Sequence, residues 1–112
     1  MPHTREQLLA LSCRQQAARP IGAADAAGQA RALPAWRLEG QALARRFEFA
    51  DFHQTMAFVN AVAWIAHRED HHPEITVGYR HCVLRYSTHD TDSLSIKDFI
   101  CAAHVDALRP DD

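Results

Sequence analysis

His71 and His72 stand side by side in Asp70-His71-His72-Pro73, and His89 follows in Ser87-Thr88-His89-Asp90. An imidazole has an unperturbed pKa of about 6.5, so it can give or take a proton near neutrality. Proline cannot continue a helix and pushes the residue before it out of the helical region, so Pro73 leaves both rings at a helix end. Three chemistries fit that placement. In an acid/base centre, one imidazolium disfavours a second beside it, so adjacent rings can hold different protonation states. One ring then protonates a leaving oxygen while another accepts from a neighbouring N–H, as an elimination of water requires. In a metal site, His67 and His71 stand four apart and could chelate, with His72, His89 or a carboxylate as third ligand. The segment departs from the zincin pattern His-Glu-x-x-His, because Glu69 stands one place late and projects at another angle. In a structural reading, the rings offset the negative end of a helix dipole.

The elements that position these rings follow from periodicity. Thr4 caps a helix over residues 4–18 carrying Leu8, Leu9 and Leu11. Residues 19–34 read as a loop with a short helical piece around Asp25 to Leu33. Alternation in Trp36–Glu39 and again in Leu43–Phe49, around Gly40-Gln41, predicts a hairpin, with Arg45-Arg46 on a solvated face. Asp51 opens a long helix to Glu69 whose apolar face is Phe52, Met56, Val59, Ala63, Ile65 and Ala66, widened by Phe58, Val62 and Trp64. So broad a stripe predicts burial against both a sheet and a partner. Residues 74–89 form one strand or a strand pair bent at Gly78, and His89–Ser93 is a turn. Ser95 caps a last helix lined by Ile96, Phe99, Ile100, Ala103 and Leu108, and Ser95-x-x-Asp98 has the form of a capping box. Residues 110–112 are a frayed end. This order predicts an α+β fold, an antiparallel sheet with helices on one face.

At 112 residues, 47% hydrophobic and 23% charged, the chain is expected to be one small soluble domain. A net charge of −2 without a basic patch argues against nucleic acid. Cys13, Cys82 and Cys101 are odd in number and widely spaced, which is neither a disulfide framework nor a zinc pattern. No stretch has the roughly 20 apolar residues of a membrane span, and no signal peptide is legible, so a cytoplasmic location is expected.

His67-x-x-x-His71-His72-Pro73, Tyr79, Ser87-Thr88-His89 and Lys97-Asp98 resemble the signature of the pterin-4a-carbinolamine dehydratases. Leu33-Pro34-Ala35-Trp36, Phe47-Glu48-Phe49-x-x-Phe52 and Ala57-Phe58-Val59-Asn60-x-Val62 extend the likeness over residues 33–108. The resemblance implies a single-layer, four-stranded antiparallel sheet with helices on one face. It also implies a homodimer through sheet edges or a homotetramer, and a division into a 1–32 extension and a 33–112 domain within one unit. The implied reaction dehydrates 4a-hydroxytetrahydropterin to quinonoid dihydropterin, a recycling step linked to an aromatic amino acid hydroxylase, with no cofactor and no metal. His71, His72 and His89 would be catalytic, and Asp70, Pro73, Ser87, Thr88 and Asp98 would bind the pterin. His67 stands where the family often has Glu and would tune the pair. Ile75 replaces a frequent aromatic, which would weaken stacking on the pterin. Tyr79 is read as core or interface. Some members also bind a transcription factor, so a non-catalytic dimerisation module is the alternative.

Overall fold

The computed structural model describes residues 2–89 and 93–109; the positions 90–92 of the expected turn and the end at 110–112 lie outside them. The elements are helix α1 (Arg5–Leu9), a 3₁₀ turn (Cys13–Gln15), α2 (Ala23–Ala30), β1 (Arg37–Glu39), β2 (Ala42–Glu48), α3 (Phe52–Glu69), β3 (Glu74–Val77), β4 (His81–Tyr86) and α4 (Ile96–Asp106). The four strands form one antiparallel sheet in the order β1-β2-β4-β3. The β1–β2 hairpin turns at Gly40, whose φ of +59° is a left-handed conformation that favours glycine.

Register explains the core. Leu43 pairs with Tyr86, Arg45 with Leu84 and Phe47 with Cys82, so one parity of each central strand meets the helices. Phe47 lies 4.6 Å from the ring of Phe58 on α3, and Trp36 packs 5.9 Å from Tyr86. Leu8, Cys13, Ala26 and Leu33 join this same core from the N-terminal segment.

Four expectations are corrected. The first helix ends at Leu9 rather than residue 18, because Ser12–Gln16 turns to send Cys13 inward. The buried face of α3 is Thr55, Phe58, Val62, Ile65, Ala66 and Glu69, a helical stripe displaced from the one expected. Trp64 is 63% exposed, and Phe52 is also exposed, stacked on an exposed Tyr79 at 6.0 Å, so Tyr79 is not core. On α4, Leu108 is exposed beyond the helix, while residues 98–103 are buried on every side.

The fourth correction concerns Arg45, which is only 8% exposed rather than solvated like Arg46. Its guanidinium donates to Asp106 Oδ1 at 2.6 Å, beside the Trp36 indole N–H at 2.8 Å, and lies 4.3 Å over the Phe47 ring. Removing one partner of a buried pair leaves the other charge uncompensated. Asp106→Ala is therefore expected to cost about 3–5 kcal/mol, read as a lowered urea midpoint, whereas Arg46→Ala on the open face should leave the midpoint nearly unchanged.

Candidate active site

The end of α3 sets the site. Asp70 takes a left-handed conformation (φ 52°, ψ 44°), its N–H donates to the His67 carbonyl at 3.4 Å, and the His71 N–H donates to the Ala66 carbonyl at 3.1 Å. These two bonds are a Schellman closure, with aspartate where glycine is usual. The helix thus stops at Glu69, before Pro73 acts. The reversal turns His71 inward, 9% exposed, and leaves Asp70 and His72 in solvent.

His71 Nε2 lies 2.6 Å from Asp98 Oδ1, and its ring stacks 6.1 Å from Tyr86. The other Asp98 oxygen, Oδ2, accepts from Thr88 Oγ1 at 2.8 Å and from the Ser95 N–H at 2.9 Å. Ser95 Oγ, 2.7 Å from Thr88 Oγ1, also accepts from the Lys97 N–H at 3.3 Å. Because the Thr88 proton goes to the carboxylate, the Ser95 hydroxyl donates to Thr88. A carboxylate oxygen accepts, so this contact pairs Asp98 Oδ1 with an N–H at Nε2 of His71. Among the described residues, Nδ1 has no hydrogen-bond partner, and it is not sealed from solvent.

Asp98 is 0% exposed. Asp98 and Thr88 were both expected to contact substrate; the Asp98 side chain is enclosed, and the Thr88 hydroxyl is turned to it. Ser87, Thr88 and His89 line a shallow cleft of about 330 Å³ with Glu39, Gln41, Ala42, Glu74 and Arg85. His89 is exposed, and Pro73 and Ser87 are half-buried. His67 points away from this cluster, exposed with its ring 6.2 Å from Trp64. Among the described residues, no three His, Cys, Asp or Glu side chains converge as metal ligands.

Two parts of the site escaped sequence reasoning. Arg85 pairs with Glu39 across the open face of the sheet, where the alternation of β4 would have placed it. Glu69 lies on the buried stripe of α3, one turn after Ile65 and Ala66, and accepts from the Cys13 N–H at 2.8 Å and from Arg68 Nε at 2.9 Å. A carboxylate at a core-facing position was the available signal.

Burial pushes the Glu69 pKa up, but the Cys13 N–H and the Arg68 guanidinium outweigh it and hold the carboxyl below its ordinary 4.5. A carboxyl depressed by folding contributes stability that is full above its unfolded pKa and is lost as pH falls through the folded value. Glu69→Gln should lower the unfolding midpoint at pH 7, and the gap to wild type should close on acidification below about pH 4.5. Denaturation curves from pH 7 to pH 3 check both points.

The family described as Pterin 4 alpha carbinolamine dehydratase matches residues 19–108. A Nitrosospira multiformis protein provisionally named pterin-4-alpha-carbinolamine dehydratase is 46% identical over 110 residues, 96% of this chain and 97% of that protein. A Stenotrophomonas maltophilia protein of the same provisional name is 60% identical over 78 residues, covering 68% of this chain and 67% of its own length. Among solved structures, a transcriptional coactivator/pterin dehydratase from Brucella melitensis superposes with a TM-score of 0.76 at 27% identity, over 80% of this chain and 98% of that one. A pterin dehydratase-like protein identified as a RuBisCO assembly factor in the alpha-carboxysome gives a TM-score of 0.58 at 30% identity, over 66% of this chain and 88% of that one.

Proposed function

The chain belongs to the pterin-4a-carbinolamine dehydratase family of hydro-lyases, and we propose that it dehydrates 4a-hydroxytetrahydropterin by histidine acid/base catalysis. In this reaction the C4a–O bond breaks as the hydroxyl leaves as water after taking a proton. The N5 proton goes to a base, and its electron pair becomes the new N5=C4a double bond of the quinonoid dihydropterin. One proton is delivered and one removed, so two imidazoles suffice.

The observation that carries this reading is the buried Asp98–His71 bond at 2.6 Å, with the exposed His72 next in the chain and Thr88, which precedes His89, bonded to the same carboxylate. Asp98 fixes the tautomer and direction of His71 as an orienting carboxylate does for a catalytic imidazole. His71 and His72 exchange the protons, and His89 on the cleft stabilises or positions the hydroxyl. Thr88 is bonded to Asp98 and precedes His89, so the end of β4 is tied to the His71 corner. Asp70, Pro73 and Ser87 border the bound pterin, while Thr88 and Asp98 serve it through His71. Acid/base assistance of about 10²–10⁴-fold is the range such groups supply.

The exposed Phe52–Tyr79 stack, Trp64 and the open edge of β3 suit a second copy of the chain, as a homodimer or homotetramer. No helix among the described residues is long and apolar enough to cross a membrane. We place the activity in the cytoplasm, in the service of an aromatic amino acid hydroxylase.

Turnover of freshly generated 4a-hydroxytetrahydropterin tests the reading. His72→Ala should lose about 10²-fold in kcat/KM while unfolding at the wild-type midpoint, since this ring is exposed and unpaired in the fold. Asp98→Asn should lose activity and stability together, because the same carboxylate caps α4. A wild-type protein no faster than buffer would sink the proposal.

A further inference from the structure

We propose that the 3₁₀ turn Cys13–Gln15 is a clamp that sets the position of the histidine pair, with Arg14 as its positioning residue; this rests on the acid/base reading above. The last carbonyls of an α-helix have no partner within the helix. Arg14 reaches two of them from outside, sharing the His67 carbonyl with the Asp70 N–H. Its Nε donates to the Arg68 carbonyl at 2.8 Å and its Nη2 to the His67 carbonyl at 3.1 Å. The adjoining Cys13 N–H donates to Glu69 on the final residue of α3 at 2.8 Å. Three consecutive residues of α3, immediately before Asp70-His71-His72, are therefore held by two residues of the N-terminal segment.

The same turn also reaches the other half of the site. The Cys13 thiol donates to the Lys97 carbonyl at 3.4 Å, one residue before Asp98, and its sulfur lies 3.4 Å from that of Cys101. One short piece of chain thus touches the end of α3 that presents His71 and the start of α4 that presents Asp98. The His71–Asp98 bond spans those same two ends at 2.6 Å. A guanidinium offers its donors in a rigid fork, so two carbonyl bonds fix both the direction and the depth of the last turn. Its charge also faces the negative end of the α3 dipole.

Arg14 itself is exposed, so its loss leaves the core intact. What it controls is the freedom of the last turn, and through it the geometry between His71, His72 and substrate. Misplacement by about 1 Å can cost on the order of 10²-fold in rate, so partial release of the turn should cost less.

The test uses the full chain with Arg14→Ala and Arg14→Lys. It reads kcat and KM, the ¹H–¹⁵N resonances of the His71 ring in the ligand-free protein, and the unfolding midpoint. Arg14→Ala is expected to lower kcat about tenfold with KM changed less than about twofold, and to shift the His71 ring resonances. Arg14→Lys should recover part of kcat, because an ammonium reaches one carbonyl without the fork. Wild-type kcat and unmoved His71 resonances in Arg14→Ala would overturn the clamp, and so would a lysine variant no better than alanine. If Arg14→Ala does not fold, Arg14→Gln is read by the same criteria. The ring resonances need no turnover, so a protein without dehydratase activity refutes the catalytic reading while a shifted His71 signal still supports the clamp.

Discussion

A fully buried carboxylate is costly unless each of its oxygens is answered, and Asp98 sits where three elements bring their donors to it. His71 comes from the end of α3, Thr88 from the segment after β4, and the Ser95 N–H from the start of α4. Withdrawing any one of these leaves charge without compensation in the interior, so the positions of α3, α4 and the sheet are coupled through a single side chain. The imidazole proposed to be catalytic is thereby held by the same bonds that seat a helix. Positional accuracy at the surface comes from a satisfied network beneath it.

The last helix carries a second buried carboxylate about two turns further on. Asp106 collects Arg45 from β2 and the indole of Trp36, with Arg5 of α1 at 3.6 Å. One end of α4 is thus bound to His71 and the other to the sheet and the N-terminal helix. The middle of α4, residues 98–103, is buried on every side, and both polar anchors face inward along with its alanines, Cys101 and Phe99. The N-terminal segment closes the arrangement, with Leu8 and Cys13 in the core and the Ile21 N–H bonded to the Leu94 carbonyl at 2.9 Å.

Much of this was legible in order and type. The Gly40 hairpin, the Asp51 and Ser95 caps and the antiparallel alternation all rest on local pattern, which survives into the fold, whereas His71 and Asp98 were joined only by the family resemblance. The failures have one cause: tertiary partners overrode local preference. The leucine-rich stretch after Thr4 stops being helical because Cys13 and Arg14 are drawn to the end of α3. Arg45 goes inside because Asp106, sixty-one residues away, receives it. The apolar face of α3 was misplaced because Phe52 and Trp64 are large enough to dominate a pattern while facing outward. Asp98 was legible as a cap, but its enclosure was not, since burial depends on what packs over a residue.

The three thiols give this molecule a built-in clock. Burial pushes Cys82 up to about 11, the hydrogen bond with Cys13 together with burial pushes Cys101 far above the ordinary thiol range, and Cys13 is equally enclosed. Such sulfurs are inert to alkylating reagents until the chain around them opens. Cys82 lies in the central strand β4, so its labelling rate follows opening of the whole sheet. Cys13 belongs to a short turn at the margin, where a local excursion is enough to expose it. The ratio of the two rates separates detachment of the N-terminal segment from global unfolding without an introduced cysteine.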